Sequence, residues 1–488
     1  MISVCASEAD HPVAREFFEL FKTPWQFHSA SAPGEVLLCN NCEIPPNHAR
    51  LIVVYNSHGA GFPQNAKSGW DNSPSHLRHE TVAGKSAWFC HQGIEIPVFG
   101  DALVDPGEAK ICFLRRDENG KTAVGVGFDL FSEIRRLLTS GQPEASATAP
   151  TLERHIAFLR NLILGCGLPL VEIPPRPAGH EFIVCLTHDV DHVGIRNHKF
   201  DHTVFGFLYR ATAGSVLDVV RGKKSLGQLA ANFLAAAKLP LIHAGLAEDF
   251  WYQFDGYAKL ENGVPSTYFV IPQKAEAGVD PDGRCQPNRA ASYDARDLKD
   301  ILRSLEKSGK EVAVHGLNAW RDAVAGREEK KIISEIAGAE KSGIRMHWLY
   351  FNSQSPAELE KAGFAYDSTC GYNRTVGYRA GTAQVFQPLT TRKLLELPME
   401  IMDTALFYPS YLNLSPKQAE ATVRPLIENA AHFGGVFTVN WHDRSLAPER
   451  LWDGTYRWLL DELRTQNVWF ATVSQAVGWF RKRRAVTR

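Results

Sequence analysis

Phe182-Ile183-Val184-Cys185-Leu186-Thr187-His188-Asp189-Val190-Asp191-His192 decides how this chain folds. An apolar run without alternation stops at a cluster of His and Asp. Such a run reads as a strand covered on both faces, as strands of a parallel sheet are. The same rhythm recurs downstream. Candidate strands at 267–271, 311–314, 395–401, 436–440 and 468–472 alternate with helical stretches such as 295–308 and 328–341. Repeated strand–helix units predict an α/β fold with a parallel sheet, most economically a closed or nearly closed (β/α) barrel. The stretch from about 192 to 265 is then a long, largely helical insertion between the first two strands.

In such a barrel, functional side chains sit just past the C-terminal ends of strands. The first strand delivers His188, Asp189, Asp191 and His192, and the strand at 311–314 delivers His315. The segment around Ile344 delivers Arg345 and His347. The strand at 395–401 ends in Asp403, and the one at 436–440 ends in Trp441-His442-Asp443. Asp189 and Asp191 stand two apart, so in an extended chain both carboxylates face one side and repel. A cation removes that penalty, and Asp with His is a ligand set suited to Zn²⁺ or a similar divalent ion. The second carboxylate is then free to act as general base. The competing reading is a loop Asp pair that caps a helix or binds Ca²⁺.

Thr187-His188-Asp189-Val190-Asp191, Ser266-Thr267-Tyr268-Phe269-Val270-Ile271, Val314-His315-Gly316 and Trp441-His442 resemble the polysaccharide deacetylase family (NodB homology, carbohydrate esterases). The resemblance covers roughly residues 180 to 485. It implies a distorted (β/α) barrel in which Asp189 is the general base and Asp191 and His315 are metal ligands. It further implies His442 as general acid and Arg345 as the residue that orients the base. One departure matters: four residues after His315, where a second metal His is expected, stands Ala319. His347, two residues beyond Arg345, is the expected third ligand, with His192 the weaker candidate. A subgroup associated with bacterial surface-polysaccharide genes resembles the stretches Arg345-Met346-His347-Trp348-Leu349 and Gly377-Tyr378-Arg379-Ala380-Gly381-Thr382 as well.

Upstream the texture changes. Residues 1–139 alternate short apolar runs with turn residues and predict a smaller α+β domain of unknown role. Residues 140–180 read as a linker holding one helix that starts at Thr151, and 181–488 as the barrel domain. The 488 residues carry 53 Lys and Arg against 54 Asp and Glu, so no nucleic-acid partner is expected. Nine scattered cysteines read as reduced thiols. Cys39-Asn40-Asn41-Cys42 lacks the second pair that a zinc ribbon needs. His58, His91 and His180 stand alone and read as ordinary histidines. Without an export signal or an apolar span, a cytoplasmic location is expected, compatible with association at the inner membrane face.

The expected activity is removal of an acetyl group from an N- or O-acetylated saccharide or sugar conjugate, in surface polysaccharide or lipopolysaccharide biosynthesis. Water activated beside a divalent ion, most simply zinc, loses a proton to Asp189 and attacks the acetyl carbonyl. His442 protonates the leaving group and Arg345 keeps Asp189 ionised. Trp348, Tyr350, Tyr372, Tyr378, Tyr408 and Trp441 are candidates for stacking on sugar rings. Two alternatives stand: a C–N amidohydrolase acting on a small amide, and a non-catalytic saccharide-binding relative in which Ala319 marks lost metal chemistry.

Overall fold

The computed structural model describes residues 1–29, 34–56, 76–79, 87–91, 94–99, 112–116, 121–222, 224–338, 340 and 343–486. Of 76–79, 87–91 and 112–116 it describes the backbone alone, so His58 and the side chain of His91 lie outside it. Two compact units divide the chain. The first comprises Met1–Pro175, Tyr378–Leu389 and Phe480–Arg488, and the second Arg176–Gly377 and Thr390–Trp479.

The strands of the first unit are β1 (Ile2–Cys5), β2 (Trp25–Phe27), β3 (Val36–Asn40), β4 (Leu51–Tyr55), β5 (His76–His79), β6 (Ala87–His91), β7 (Ile94–Val98), β8 (Cys112–Arg116) and β9 (Thr122–Val126). Six form one sheet in the order β2-β1-β3-β4-β9-β8, parallel except for β8 against β9, while β5-β6-β7 is antiparallel. Every residue of β3 and β4 is buried, as expected of inner parallel strands. Helix His11–Phe21 buries Val13, Ala14, Phe17, Phe18 and Phe21, and ends at left-handed Lys22. Residues 140–150, linker-like in composition, are held by buried Gln142. Its amide donates to the carbonyls of Ser146 and Ala149 and accepts from Thr151 Oγ1.

The second unit contributes β10 (Phe182–Val190), β11 (Ser266–Val270), β12 (Glu311–Gly316), β13 (Gly343–Met346), β14 (Tyr366–Asp367), β15 (Leu395–Glu396), β16 (Ile401–Met402), β17 (Val436–Asn440) and β18 (Val468–Phe470). Their order is β15-β14-β13-β12-β11-β10-β17-β16, with β18 also on β10, and every pairing is parallel. The unit is thus an α/β parallel sheet with helices between its strands. One expectation needs correction. Residues 395–401 are not a single strand, because Pro398 interrupts it with no N–H to donate. The halves, β15 and β16, lie at opposite ends of the sheet. Leu397 and Met399 donate to the carbonyls of Asp367 and Cys370 on one edge, and Glu400 donates to Thr438 on the other. One irregular segment therefore bridges the gap that a regular barrel would close with strand pairing.

Gly343 shows how tightly the sheet is packed. A Cβ there would lie 1.8 Å from the Tyr366 ring. The insertion between β10 and β11 carries helices His202–Ala211, Ala213–Val220, Leu226–His243 and Phe254–Glu261. Val204, Phe207, Ala211, Ala235, Leu239, Ile242 and Trp251 form a small core with Ala447 from beyond β17.

Candidate active site

Strand alternation sorts the motif on β10. Asp189 faces the C-terminal mouth of the sheet, while His188 turns the other way into the core. The two ring nitrogens of His188 lie 2.8 Å from the Trp441 carbonyl and 2.6 Å from Glu261 Oε1. Glu261 also binds Lys310, Ser266 and Tyr456. His188 is therefore part of a buried structural network. Asp189 Oδ1 accepts from Arg345 Nη1 at 2.9 Å and Oδ2 from Asn440 Nδ2 at 2.8 Å. Arg345 is fully buried over the Phe269 ring at 4.3 Å. Its other bonds run to Thr187 Oγ1, the Ser368 carbonyl and Ser368 Oγ. Burial alone would raise the Asp189 carboxyl, but Arg345, then His315 and His442, outweigh it and hold the group below its ordinary value.

Asp191, His315 and His347 converge beside it. His315 Nε2 and His347 Nε2 lie 3.4 and 3.6 Å from Asp191 Oδ1. The ligand atoms of this trio fall within 4.8 Å of one another. Ligands about 2.0–2.2 Å from a shared tetrahedral ion stand roughly 3.3–3.6 Å apart, so the spacing fits one. Asp191 Oδ1 is buried with no hydrogen-bond partner, an arrangement that is costly unless a cation completes it. The His315 Nδ1 is 3.0 Å from the Arg345 carbonyl; donation there leaves Nε2 with its lone pair toward Asp191. Burial pushes His347 well below its ordinary pKa, toward the neutral form that can ligate. Trp348 and Leu349, at φ 64° and 54°, put local strain directly after His347. His192 turns away, with Nδ1 3.3 Å from His198 Nε2. Ala319 is fully buried behind β12, and its Cβ would be 3.2 Å from a Cβ on Gly326 of helix Ala323–Ala337.

His442 closes the other side. Its Nε2 is 3.8 Å from Asp191 Oδ2, its Nδ1 is 2.6 Å from Asp403 Oδ1, and its backbone N–H donates to Asp403 Oδ2 at 2.7 Å. Burial opposes a charge on His442, but Asp403, with Asp191 and Asp189, raises it to about 10. Asp403, Asn440 and Asp443 act around this side of the cleft. Asp443, rather than pairing with the Arg444 guanidinium, accepts the backbone N–H groups of His192, Val193 and Arg444. Their strand-end positions are the one sequence signal for these three residues.

Asp189, Asp191, His315, His347 and His442 border a cleft of about 500 Å³, with Arg345, Asp403 and Asn440 bonded behind them. Of the aromatic candidates, Trp348, Tyr350 and Tyr408 line it, joined by Tyr411 and Trp452. Tyr372 and Trp441 are buried, as is Tyr378 in the first unit. Sequence reading missed the cationic rim. Arg444 and Arg450 each approach Tyr408 Oη at 3.4 Å, and Arg210 borders the same end. Burial, then Arg450 and Arg444, lowers Arg210 to about 10, and its buried Nε has no acceptor. Burial would raise Tyr408, but the two arginines bring it down to about 8.

No family model matches the chain, and no curated protein matches it either. Among solved structures, one assigned as a polysaccharide deacetylase from Mycobacterium smegmatis is 21% identical, covering 66% of this chain and 98% of that one at a TM-score of 0.40. One so assigned from Pseudomonas aeruginosa PAO1 is 16% identical over 67% and 98%, also at 0.40. The Puue allantoinase is 14% identical over 65% and 96%, at 0.40.

Proposed function

We propose that the second unit is a metal-dependent hydrolase of the polysaccharide deacetylase type, which removes an acetyl group from an N- or O-acetylated saccharide. The observation that carries this reading is the orphaned, buried Asp191 Oδ1 facing two imidazole Nε2 atoms, with Asp189–Arg345 on one side and His442–Asp403 on the other. Asp191, His315 and His347 would hold the ion, for which zinc suits one carboxylate and two imidazoles. When bound, a divalent ion supplies Lewis acidity, acidifying water and drawing charge from a carbonyl oxygen.

The chain's own groups do the rest. Asp189, kept ionised by Arg345 and aimed by Asn440, takes the proton from the attacking water. His442, kept protonated by Asp403, gives a proton to the departing amine or alcohol. Trp348, exposed at the cleft, offers a ring face for pyranose C–H groups, while Arg289 covers a face of Tyr350 and Arg450 a face of Tyr408. Arg210, Arg444 and Arg450 fit a phosphate or carboxylate, so the substrate proposed is an anionic sugar conjugate. A nucleotide- or lipid-linked sugar on the cytoplasmic side, destined for surface polysaccharide, meets that description.

A panel of acetylated sugars with and without a phosphate group tests the reading by acetate release. Phosphorylated members should be preferred, and Asp189→Asn should lower turnover by about 10²-fold or more while metal content stays unchanged. Undiminished acetate release by Asp189→Asn would refute the assignment of the base.

A further inference from the structure

The insertion exposes an unusual amount of apolar surface. Among the described residues, the exposed large hydrophobic side chains concentrate between Phe200 and Leu246, with Phe200 89%, Val220 79%, Leu226 74% and Leu246 77% exposed. Helix Leu226–His243 is rich in Leu and Ala, with Lys238 its one Lys or Arg and no acidic residue. It buries Ala235, Leu239 and Ile242, yet presents Leu226, Phe233, Leu234 and Leu241 outward. Val216, Leu217 and Val220 on helix Ala213–Val220, and Phe205 and Tyr209 on helix His202–Ala211, extend the surface. An exposed apolar patch of this kind marks a surface that meets a partner or a membrane. No helix among the described residues is long and apolar enough to cross a membrane.

We propose that these three helices seat the protein on the surface of an anionic lipid bilayer. Charge selects this occupant over a second copy of the chain. Between Phe200 and Leu246, leaving aside Arg210 of the cleft, stand four Lys or Arg against two Asp, in a chain whose overall net charge is −1. Such a mixture suits anionic headgroups above an acyl boundary, whereas two like-charged faces repel. The seat is continuous with the cleft, since His202, Thr203 and Arg210 of the first helix line it. A lipid-linked sugar would enter the cleft from that side; this last step alone rests on the deacetylase reading.

Co-sedimentation of the full chain with phosphatidylcholine vesicles, with and without phosphatidylglycerol, tests the seat without any substrate. Binding should need phosphatidylglycerol and weaken with salt. Leu226→Glu/Leu234→Glu should weaken it by about tenfold or more, with the melting temperature unchanged. Absence of binding, or equal binding by the variant, overturns the proposal. So does a wild-type dimer that the same variant dissociates, which would make this face a subunit interface. Loss of acetate release with vesicle binding intact would instead strike only the deacetylase reading.

A second, independent observation lies in the first unit. Cys5 at the end of β1 stands in register with Cys39 on β3, and the turn Asn40-Asn41 brings back Cys42. The three thiols lie within 4.8 Å of one another. The turn is built rather than loose. Asn41 adopts φ 47°, and the side chains of Asn40 and Asn41 donate to the two oxygens of Asp129 at 2.9 and 2.6 Å. His28, whose N–H donates to the Val4 carbonyl, follows β2 beside Cys5, and its Nδ1 is buried without a partner. We infer that Cys5, Cys39 and Cys42 bind a thiophilic divalent cation such as zinc.

Titration of the reduced full chain with cobalt(II) tests this, because thiolate ligation gives a near-ultraviolet charge-transfer band that Asp and His ligands do not. The band should survive Asp191→Ala and vanish in both Cys39→Ser and Cys42→Ser, each checked by its melting curve. Absence of the band in the folded wild type would overturn the inference. Its persistence in both Cys variants would do so too.

Discussion

Arg345 carries more of the candidate site than any other side chain. It is buried at the end of β13, and its guanidinium ties Asp189 to Thr187 and Ser368. Removing one member of a buried pair leaves the other charge uncompensated, at about 3–5 kcal/mol. Arg345→Met should therefore lower unfolding stability in urea by that order and lower turnover with it; unchanged stability would contradict the pairing. Ala319 invites the opposite experiment. Placing His there does not restore a ligand, because the side chain would drive into Gly326 and the helix behind it. Ala319→His should cost about 1–3 kcal/mol of stability and add no metal, as urea unfolding and metal analysis would report.

At the scale of elements, β10 puts two functions on opposite faces. Asp189 serves the cleft, while His188 reaches back to Glu261, which Lys310, Ser266 and Tyr456 also bind. Burial alone would raise the Glu261 carboxyl, but His188 and Lys310 outweigh it and bring the group from its ordinary 4.5 down to about 2. A carboxyl with a depressed folded pKa adds stability above its unfolded value, and that stability is lost as pH falls through the folded one. Unfolding free energy should thus drop by a few kcal/mol between about pH 4.5 and pH 2, with Tyr268 and Tyr456 the neighbours that also face this carboxylate. A wild-type profile no steeper than that of Glu261→Gln would contradict the network. The apolar runs made β10, β12 and β17 legible because inner parallel strands are buried on both faces. Pro398 and the crossing at 397–400 were harder, since only the tertiary hydrogen bonds reveal that one short segment serves both sheet edges. Asp403 and Asn440 stood at readable strand ends, yet their partners depend on β10 and β16 both flanking β17, which no local pattern encodes.

In the whole molecule, Asp189, Asp191, His315, His347 and His442 meet in one cleft of the second unit, with Arg345 buried behind Asp189. Strand-end position was enough to nominate them. The cationic rim was not legible, because Arg210 comes from the insertion while Arg444 and Arg450 follow β17, and only the packed insertion brings them together. The central claim is that Asp191, His315 and His347 hold a divalent ion. Metal analysis of protein purified without chelator, on wild type, Asp191→Ala and His347→Ala side by side, tests it most directly. The account predicts that each variant carries about one zinc or similar ion per chain fewer than the wild type, with the fold intact. Equal metal content in all three proteins, after incubation with zinc, would contradict it.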